Sequence, residues 1–330
     1  MLAKVLPFVL TLLFWVPQKE GWGQAERGYE SFRSWLEGVK KEAISRGISV
    51  PTLERAFKNL TPIPKVIELD RSQPEVKLTL DEYLARVVTE TRIATGRQKL
   101  AQYRGLLEEV GDIYGTPPKI MIALWGIESD YGRLPGTFPV IGSVATLAYD
   151  GRRSSYFRKE LLFALMILDQ GHISLGEMTG SWAGAMGHFQ FMPSTFVDYA
   201  LDANGDGRKD IWHDFKDALF SAAHYLRAMG WRRNLPWGTE VRLPEGFDPS
   251  HIGPNQKRPV KVWASMGVKK LDNSPIETHW EGDTWIVCPQ FPKGRAFLVT
   301  ESYRAIYRWN PSNSFAVAVG VLSDKIGTEN

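Results

Sequence analysis

Pro117-Pro118-Lys119-Ile120-Met121-Ile122-Ala123-Leu124-Trp125-Gly126-Ile127-Glu128-Ser129-Asp130-Tyr131-Gly132 is the stretch on which the fold turns. Nine of the ten residues from Ile120 to Ser129 are uncharged, and most are apolar. Opened by a proline pair that suits a first helical turn, the run reads as a buried helix. Its one acid, Glu128, lies at the C-terminal end. A carboxyl group moved toward low dielectric favours its protonated form. A protonated Glu in a cleft can give a proton to a leaving oxygen, the first requirement for cutting a glycosidic bond. Taken alone, the residue also fits a plainer description: a helix-end acid paired with a neighbour such as Arg133.

The same helical texture extends in both directions. Residues 29–46 are amphipathic, with Phe32, Trp35, Leu36, Val39 and Ile44 near helical spacing. Pro62 and Pro64 break the chain, and residues 80–88 and 96–114 read as further helices. Residues 157–169 form a strongly apolar helix, and 214–229 a helix closed by Gly230. Almost no period-two alternation occurs before residue 235, so the body is expected to be all-helical. Between 236 and 300, Pro, Gly and Asp become frequent. Thr284-Trp285-Ile286-Val287 and Ala296-Phe297-Leu298-Val299 read there as short strands, with one short helix at about 260–266. Residues 303–308 and 315–322 return to helical patterning. The expected organisation is a leader (1–25), an N-terminal helical region (26–80), a core (81–235), a small β-containing subdomain (236–300) and a returning segment (301–330).

The chain has 330 residues, 43% hydrophobic and 12% aromatic, enough for a sizeable core. Twelve Trp and eleven Tyr mildly favour a carbohydrate ligand, although aromatic rings also fill ordinary cores. A net charge of +3 is too small and too dispersed to argue for nucleic acid. After Lys4 the run from Val5 to Val16 is shorter than the roughly 20 residues that span a bilayer. Gly23-Gln24-Ala25 follows as a small-x-small signal, so residues 1–25 read as a secretory signal peptide. No later segment is long enough for a membrane span. Cys288 is the single cysteine, which excludes a disulfide within one chain and any lipid-bearing Cys after the apolar run. Export without disulfides suits a bacterial envelope, hence a periplasmic protein.

Two further segments carry chemistry. The first runs Gly180-Ser181-Trp182-Ala183-Gly184-Ala185-Met186-Gly187-His188-Phe189-Gln190-Phe191-Met192-Pro193-Ser194. Its glycines allow tight turns and close approach to a ligand. Phe189, Phe191 and Met192 can wall a groove, and Ser181 and Gln190 can orient a ligand. His188 is better read as a packing residue than as a base. The second, Asp202-Ala203-Asn204-Gly205-Asp206-Gly207-Arg208-Lys209-Asp210, matches the start of an EF-hand loop. Asp202, Asn204 and Asp206 would ligate Ca2+ by side-chain oxygens and Arg208 by its carbonyl. The twelfth position is His213 rather than Glu, so Asp214 or Asp217 would have to close the site. A solvated Asp/Asn/Gly turn is the alternative. Any Ca2+ here would be structural. A second catalytic carboxylate is not evident: Asp130, Asp150, Asp169 and Glu177 have no motif to recommend them. A substrate whose 2-acetamido oxygen assists at the anomeric carbon would remove the need for one.

The order and spacing of these three segments resemble lytic murein transglycosylase B. The shared motifs are Trp125-Gly126-Ile127-Glu128-Ser129, the glycine-rich run through Ser194, and Asp202 to Gly207, within a likeness reaching from about residue 29 to 325. The resemblance implies a lysozyme-like helical core. It also implies cleavage of the β-1,4 bond between N-acetylmuramic acid and N-acetylglucosamine in peptidoglycan glycan strands, leaving a 1,6-anhydromuramoyl end. Glu128 would act as acid and then base, with no cofactor for catalysis. By the same resemblance Ser181, Gln190, Tyr83, Tyr156, Tyr225 and Asn310 would contact substrate, and Asp217 would close the metal site. The family's Tyr before Asn310 is Trp309 here, and its later Tyr is Phe315. A lysozyme-type muramidase and a non-catalytic glycan-binding envelope protein are the competing readings.

Overall fold

The computed structural model describes residues 32–72 and 78–328, and the apolar run read as a signal peptide lies outside them. The chain begins with α1 (Phe32–Ser45), α2 (Val50–Phe57), α3 (Pro64–Arg71), α4 (Leu80–Val87), α5 (Glu90–Gln102), α6 (Arg104–Tyr114) and α7 (Pro118–Ser129). A two-residue strand, β1 (Phe138–Pro139), leads into α8 (Val140–Asp150) and α9 (Ser154–Asp169). Next come β2 (Thr179–Gly180), α10 (Pro193–Tyr199) and α11 (Phe215–Ala228). The remainder is β3 (Gly238–Arg242), β4 (Arg258–Pro259), α12 (Val260–Ser265), β5 (Lys269–Lys270), β6 (Asp283–Val287), β7 (Ala296–Val299), α13 (Glu301–Trp309) and α14 (Asn313–Gly327). The mainly helical fold with a small antiparallel sheet is as the sequence implies.

Local details differ from the expectations. Pro64 opens α3 instead of only breaking the chain, because a first-turn proline lacks an N–H that the helix would not use. The helix expected over 96–114 is two helices that part at Tyr103. In α1, Leu36, Val39 and Ala43 are buried, whereas Ile44 is 44% exposed. Ile44 lies five residues beyond Val39, about 140° round a helix of 3.6 residues per turn, and so leaves the buried face.

The chain divides into two units, residues up to 75 with 128–221, and residues 76–127 with 222–330. The division falls inside α7, between Ile127 and Glu128, and inside α11, between Ser221 and Ala222. In the first unit α8 is buried continuously from Val140 to Ala148 and packs along α9, which also receives α2 and α10. Asp70 at the end of α3 is buried and pairs with Arg152 and Arg153, which fixes the turn between α8 and α9. In the second unit α14 packs on α4, α5 and α13. Its antiparallel sheet has the order β4-β6-β7-β3-β5, with Ile286 opposite Leu298 and Thr239 opposite the same Leu298. All four residues of β7 are buried, as befits a central strand covered on both faces. Trp263, Phe247, Val260 and Ile276 fill the core beneath this sheet.

Candidate active site and cation loop

Within the first unit, Glu128 is half-buried in the last turn of α7. The helix stops directly after it. Asp130 (φ 52°), Tyr131 (φ 60°) and Gly132 (φ 79°) are three successive left-handed residues. Ser129 holds this stop. Its Oγ donates to the His188 carbonyl oxygen at 2.6 Å and accepts the Gly132 N–H at 3.0 Å. The end of the acid-bearing helix is thereby tied to the glycine-rich segment. Arg133, the neighbour that could have neutralised Glu128, forms an ion pair with Asp130.

The glycine-rich segment is held by its own backbone. β2 pairs with β1 so that Gly180 faces Phe138 and Thr179 faces Pro139. Gly136 (φ 94°) lies under this pair so closely that a Cβ there would stand 2.1 Å from the carbonyl carbon and oxygen of Gly180. Ser181, 1% exposed, accepts the Ala185 N–H at 3.0 Å and the Ala183 N–H at 3.3 Å through Oγ, which shapes the turn. Met186 and Phe191 exchange two backbone hydrogen bonds. Between them Gln190 is left-handed (φ 52°), and its Nε2 donates to the carbonyls of Pro135 and Gly187, both at 2.9 Å. Both amide hydrogens are therefore committed, and the group that Gln190 can offer a ligand is the acceptor Oε1. His188 packs its ring against Phe215 with centroids 5.5 Å apart, in keeping with a packing role. Phe189, Phe191 and Met192 are buried. Tyr156, half-buried, starts α9 in the same unit.

Tyr83, Tyr225 and Asn310 belong to the second unit. Tyr83 is a buried residue of α4, Tyr225 packs its ring 4.9 Å from that of Trp309, and Asn310 is buried at the end of α13. A groove of about 1080 Å3 in this unit is lined by Thr116, Lys119, Arg232 and Trp280, among others, and contains none of the expected site residues.

The other acids weighed for catalysis have fold duties. Asp150 pairs with Arg71 at 2.7 Å, Asp169 accepts the N–H and hydroxyl of Ser49, and Glu177 accepts the Ser174 hydroxyl at 2.6 Å. Asp130 is taken by Arg133. Two buried acids escaped sequence reasoning: Asp70, held by Arg152 and Arg153, and Glu160, 3% exposed on α9, which burial pushes toward a higher pKa. No lone-acid signal marks Glu160 in the sequence, because Arg158 and Lys159 precede it and Asp169 closes the same helix.

The Asp-rich loop has EF-hand-like backbone turns. Asp202 Oδ1 accepts the N–H groups of Gly205 and Asp206, and its Oδ2 that of Gly207. Asn204 Oδ1 accepts from Asp206 N–H and Asp206 Oδ1 from Arg208 N–H. Gly207 is left-handed (φ 89°), as the sixth position of such a loop requires. Asp217 is fully buried, and it is engaged differently from a terminal ligand. Its Oδ1 accepts the N–H groups of Ala203 (2.8 Å) and Asn204 (3.2 Å), and its Oδ2 that of Asp210 (2.8 Å). Burial holds this carboxyl above the usual range, while the three amides pull it down. Among the described residues no three His, Cys, Asp or Glu side chains converge as a metal centre would need. The fit to a hard cation therefore rests on the arc of Asp202, Asn204, Asp206 and the Arg208 carbonyl.

Residues 31–324 match the model of the transglycosylase SLT domain. The chain belongs to this transglycosylase family. The SLT domain of this chain is 30% identical over 258 residues to membrane-bound lytic murein transglycosylase B of Escherichia coli (strain K12). That match takes in 74% of this chain and 66% of the relative's length. Among solved structures, the SLT fold of SltB3 from Pseudomonas aeruginosa, in complex with NAG-anhNAM-pentapeptide, superposes with a TM-score of 0.87 at 42% identity, over 90% of this chain and 80% of that one. Escherichia coli Slt35 in complex with calcium gives 0.76 at 25% identity, over 90% and 92%. The family and the mainly helical fold with a small β-containing subdomain, implied by the three motifs, are thus borne out. Two departures of this SLT domain take on structural meaning. Phe315 is fully buried, so the lost tyrosine hydroxyl would have had no water to face, and Trp309 packs its ring at a tilt against Tyr225.

Proposed function

We propose that this chain is a lytic transglycosylase of peptidoglycan, in which Glu128 is acid and then base. The observation that carries the reading is the construction around Glu128. A half-buried carboxyl ends a buried helix, Ser129 ties that end to the segment bearing Gln190, and the other acids considered serve the fold. In the proposed cycle the Glu128 carboxyl gives its proton to the oxygen between N-acetylmuramic acid and N-acetylglucosamine. The bond from that oxygen to the muramic C1 breaks as the 2-acetamido oxygen bonds to C1. The muramic C6 oxygen then replaces the acetamido oxygen at C1, and its proton returns to Glu128. The 1,6-anhydro end follows from balance: no water is added. Ser181 and Gln190 are proposed to orient the glycan, and Tyr156, Tyr83, Tyr225 and Asn310 are proposed as further substrate contacts. Mass spectrometry of murein digested with the protein tests the reaction. Products one water lighter than hydrolysis products, without a reducing muramic end, are expected. Reducing muramic ends would instead establish a muramidase.

We also propose that the loop from Asp202 binds Ca2+ as a structural ion, through Asp202, Asn204, Asp206 and the Arg208 carbonyl, with Asp217 closing the loop by holding the amides of Ala203, Asn204 and Asp210. In support, five aspartates crowd into residues 202–217, where a cation would offset their repulsion, and the related Slt35 is known with calcium. An ion at about 100 times its Kd stabilises the folded state by about 2.7 kcal/mol. At about 2–4 °C per kcal/mol for a chain of this size class, Ca2+ should raise the melting temperature by about 5–10 °C. EDTA should reverse the rise, and Asp206→Asn should diminish it. An unchanged melting temperature with millimolar Ca2+ would remove the ion from the account. Export to the periplasm is proposed from the N-terminal sequence, and among the described residues no helix is long and apolar enough to cross a membrane.

A further inference from the structure

Glu160 is a charge where none is expected. It lies on α9 between Phe157 and Leu161, both buried, and is itself 3% exposed. Both oxygens point to one residue of the neighbouring α10. Oε2 accepts the Ser194 N–H at 2.9 Å, and Oε1 accepts the Ser194 hydroxyl at 2.8 Å. Ser194 is the second residue of α10 and the last of the glycine-rich segment. The helix has no cap of its own: Met192 at its N-cap supplies no side-chain hydrogen bond, and Pro193 has no N–H. The first amide that needs a partner there is that of Ser194, and it finds one on another helix.

Three residues separate Gln190 from this clamp. Upstream, Gln190 is left-handed and fixed to Pro135 and Gly187. Downstream, Phe191 is bonded to Met186, and Met192 and Pro193 lead straight into Ser194. A left-handed non-glycine residue costs about 1–2 kcal/mol and persists only if its surroundings hold it. The strand pair β1–β2 holds the entrance of the segment, and the Glu160–Ser194 contact holds its exit. Burying a carboxylate raises its pKa, which is a loss of stability at neutral pH that an apolar residue would avoid. The gain that offsets it is positional.

We propose that Glu160 is a positioning residue, whose carboxylate fixes the start of α10 and through it the place at which Gln190 meets substrate. The proposal rests on the reading of Gln190 as a substrate contact. Glu160→Gln keeps the length and one acceptor, and is expected to stay within about threefold of the unmodified protein in kcat/KM on murein oligosaccharides. Glu160→Asp keeps the charge but draws the carboxylate back by one methylene group, and Glu160→Leu removes both acceptors. Each of these two is expected to raise KM at least tenfold, with a smaller effect on kcat, and to shift the backbone amide resonances of Gln190 and Phe191. Should Glu160→Leu fail to fold, Glu160→Asp decides alone. Folded Glu160→Asp with unmodified KM and unshifted Gln190 amide would overturn the proposal. So would an equal loss for Gln and Asp, because that would mark a general packing defect. The amide shifts are read without turnover. If they appear in a protein that releases no product from murein even when unmodified, the positioning stands and the transglycosylase reading falls.

Discussion

Glu128→Gln should clear murein suspensions at least about 10²-fold more slowly than the unmodified protein while melting within a few degrees of it. Loss of a positioned general acid costs about 10²–10⁴ in rate, and here the same group is asked for twice, once to protonate the leaving oxygen and once to take up the C6 hydroxyl proton. Gln keeps the shape but has no proton to transfer. Gln also keeps the side-chain volume at this half-buried place, and the stop formed by Ser129, Asp130, Tyr131 and Gly132 is held through Ser129 Oγ and the backbone. Turbidity and thermal melting on the same preparation check both halves. Unchanged clearing would take the chemistry away from Glu128 and leave a glycan-binding protein as the better description.

The second large effect is expected at a residue that has no side chain. Gly136→Ala places a methyl group 2.1 Å from the carbonyl carbon and oxygen of Gly180 and 2.5 Å from the amide nitrogen of Ser181. Those atoms are backbone, so no rotamer change relieves the overlap. The residue is also at φ 94°, where a side chain is itself strained. Overpacking ordinarily costs about 1–3 kcal/mol and backbone strain a further 1–3. A loss of about 3 kcal/mol or more is therefore expected, with separation of the pair Phe138–Gly180 and a fall in murein clearing. Chemical denaturation measures the first, and the clearing assay the second. A variant of unmodified stability would show that the strand pair moves apart freely, contrary to a segment fixed at its entrance.

How much of this was legible beforehand depends on what each feature requires of its neighbours. Helix α7 was readable because a run of apolar residues between a Pro pair and one acid needs only its own order. The strands β6 and β7 were readable for the same reason. Helix α8 was not apparent, because its buried residues from Val140 to Ala148 follow one another without a polar face to set a period. Pro64 was legible as punctuation but not as a beginning. Asp217 shows the limit most plainly. Its place in the sequence suggests the closing ligand of a cation loop, whereas its oxygens accept three amides that come within reach only when residues 203, 204 and 210 fold back on α11. Glu160 was not legible, because Arg158 and Lys159 precede it and give it the look of an ordinary solvated helix charge, whereas in the fold Ser194 caps both its oxygens and it is all but closed to solvent.

The three left-handed residues after Ser129 have one more implication. A helix that frays can lend or borrow a residue at its tip, and its last side chains then point in several directions. Here the backbone reverses hand at once, so α7 cannot creep forward by even one position, and the bearing of its final carboxyl is set from behind. One residue inserted between Trp125 and Glu128 would swing that carboxyl through about 100°, away from any bond it had been aimed at. The chain on either side could absorb such an insertion in a loop. This corner cannot do so without turning the carboxyl.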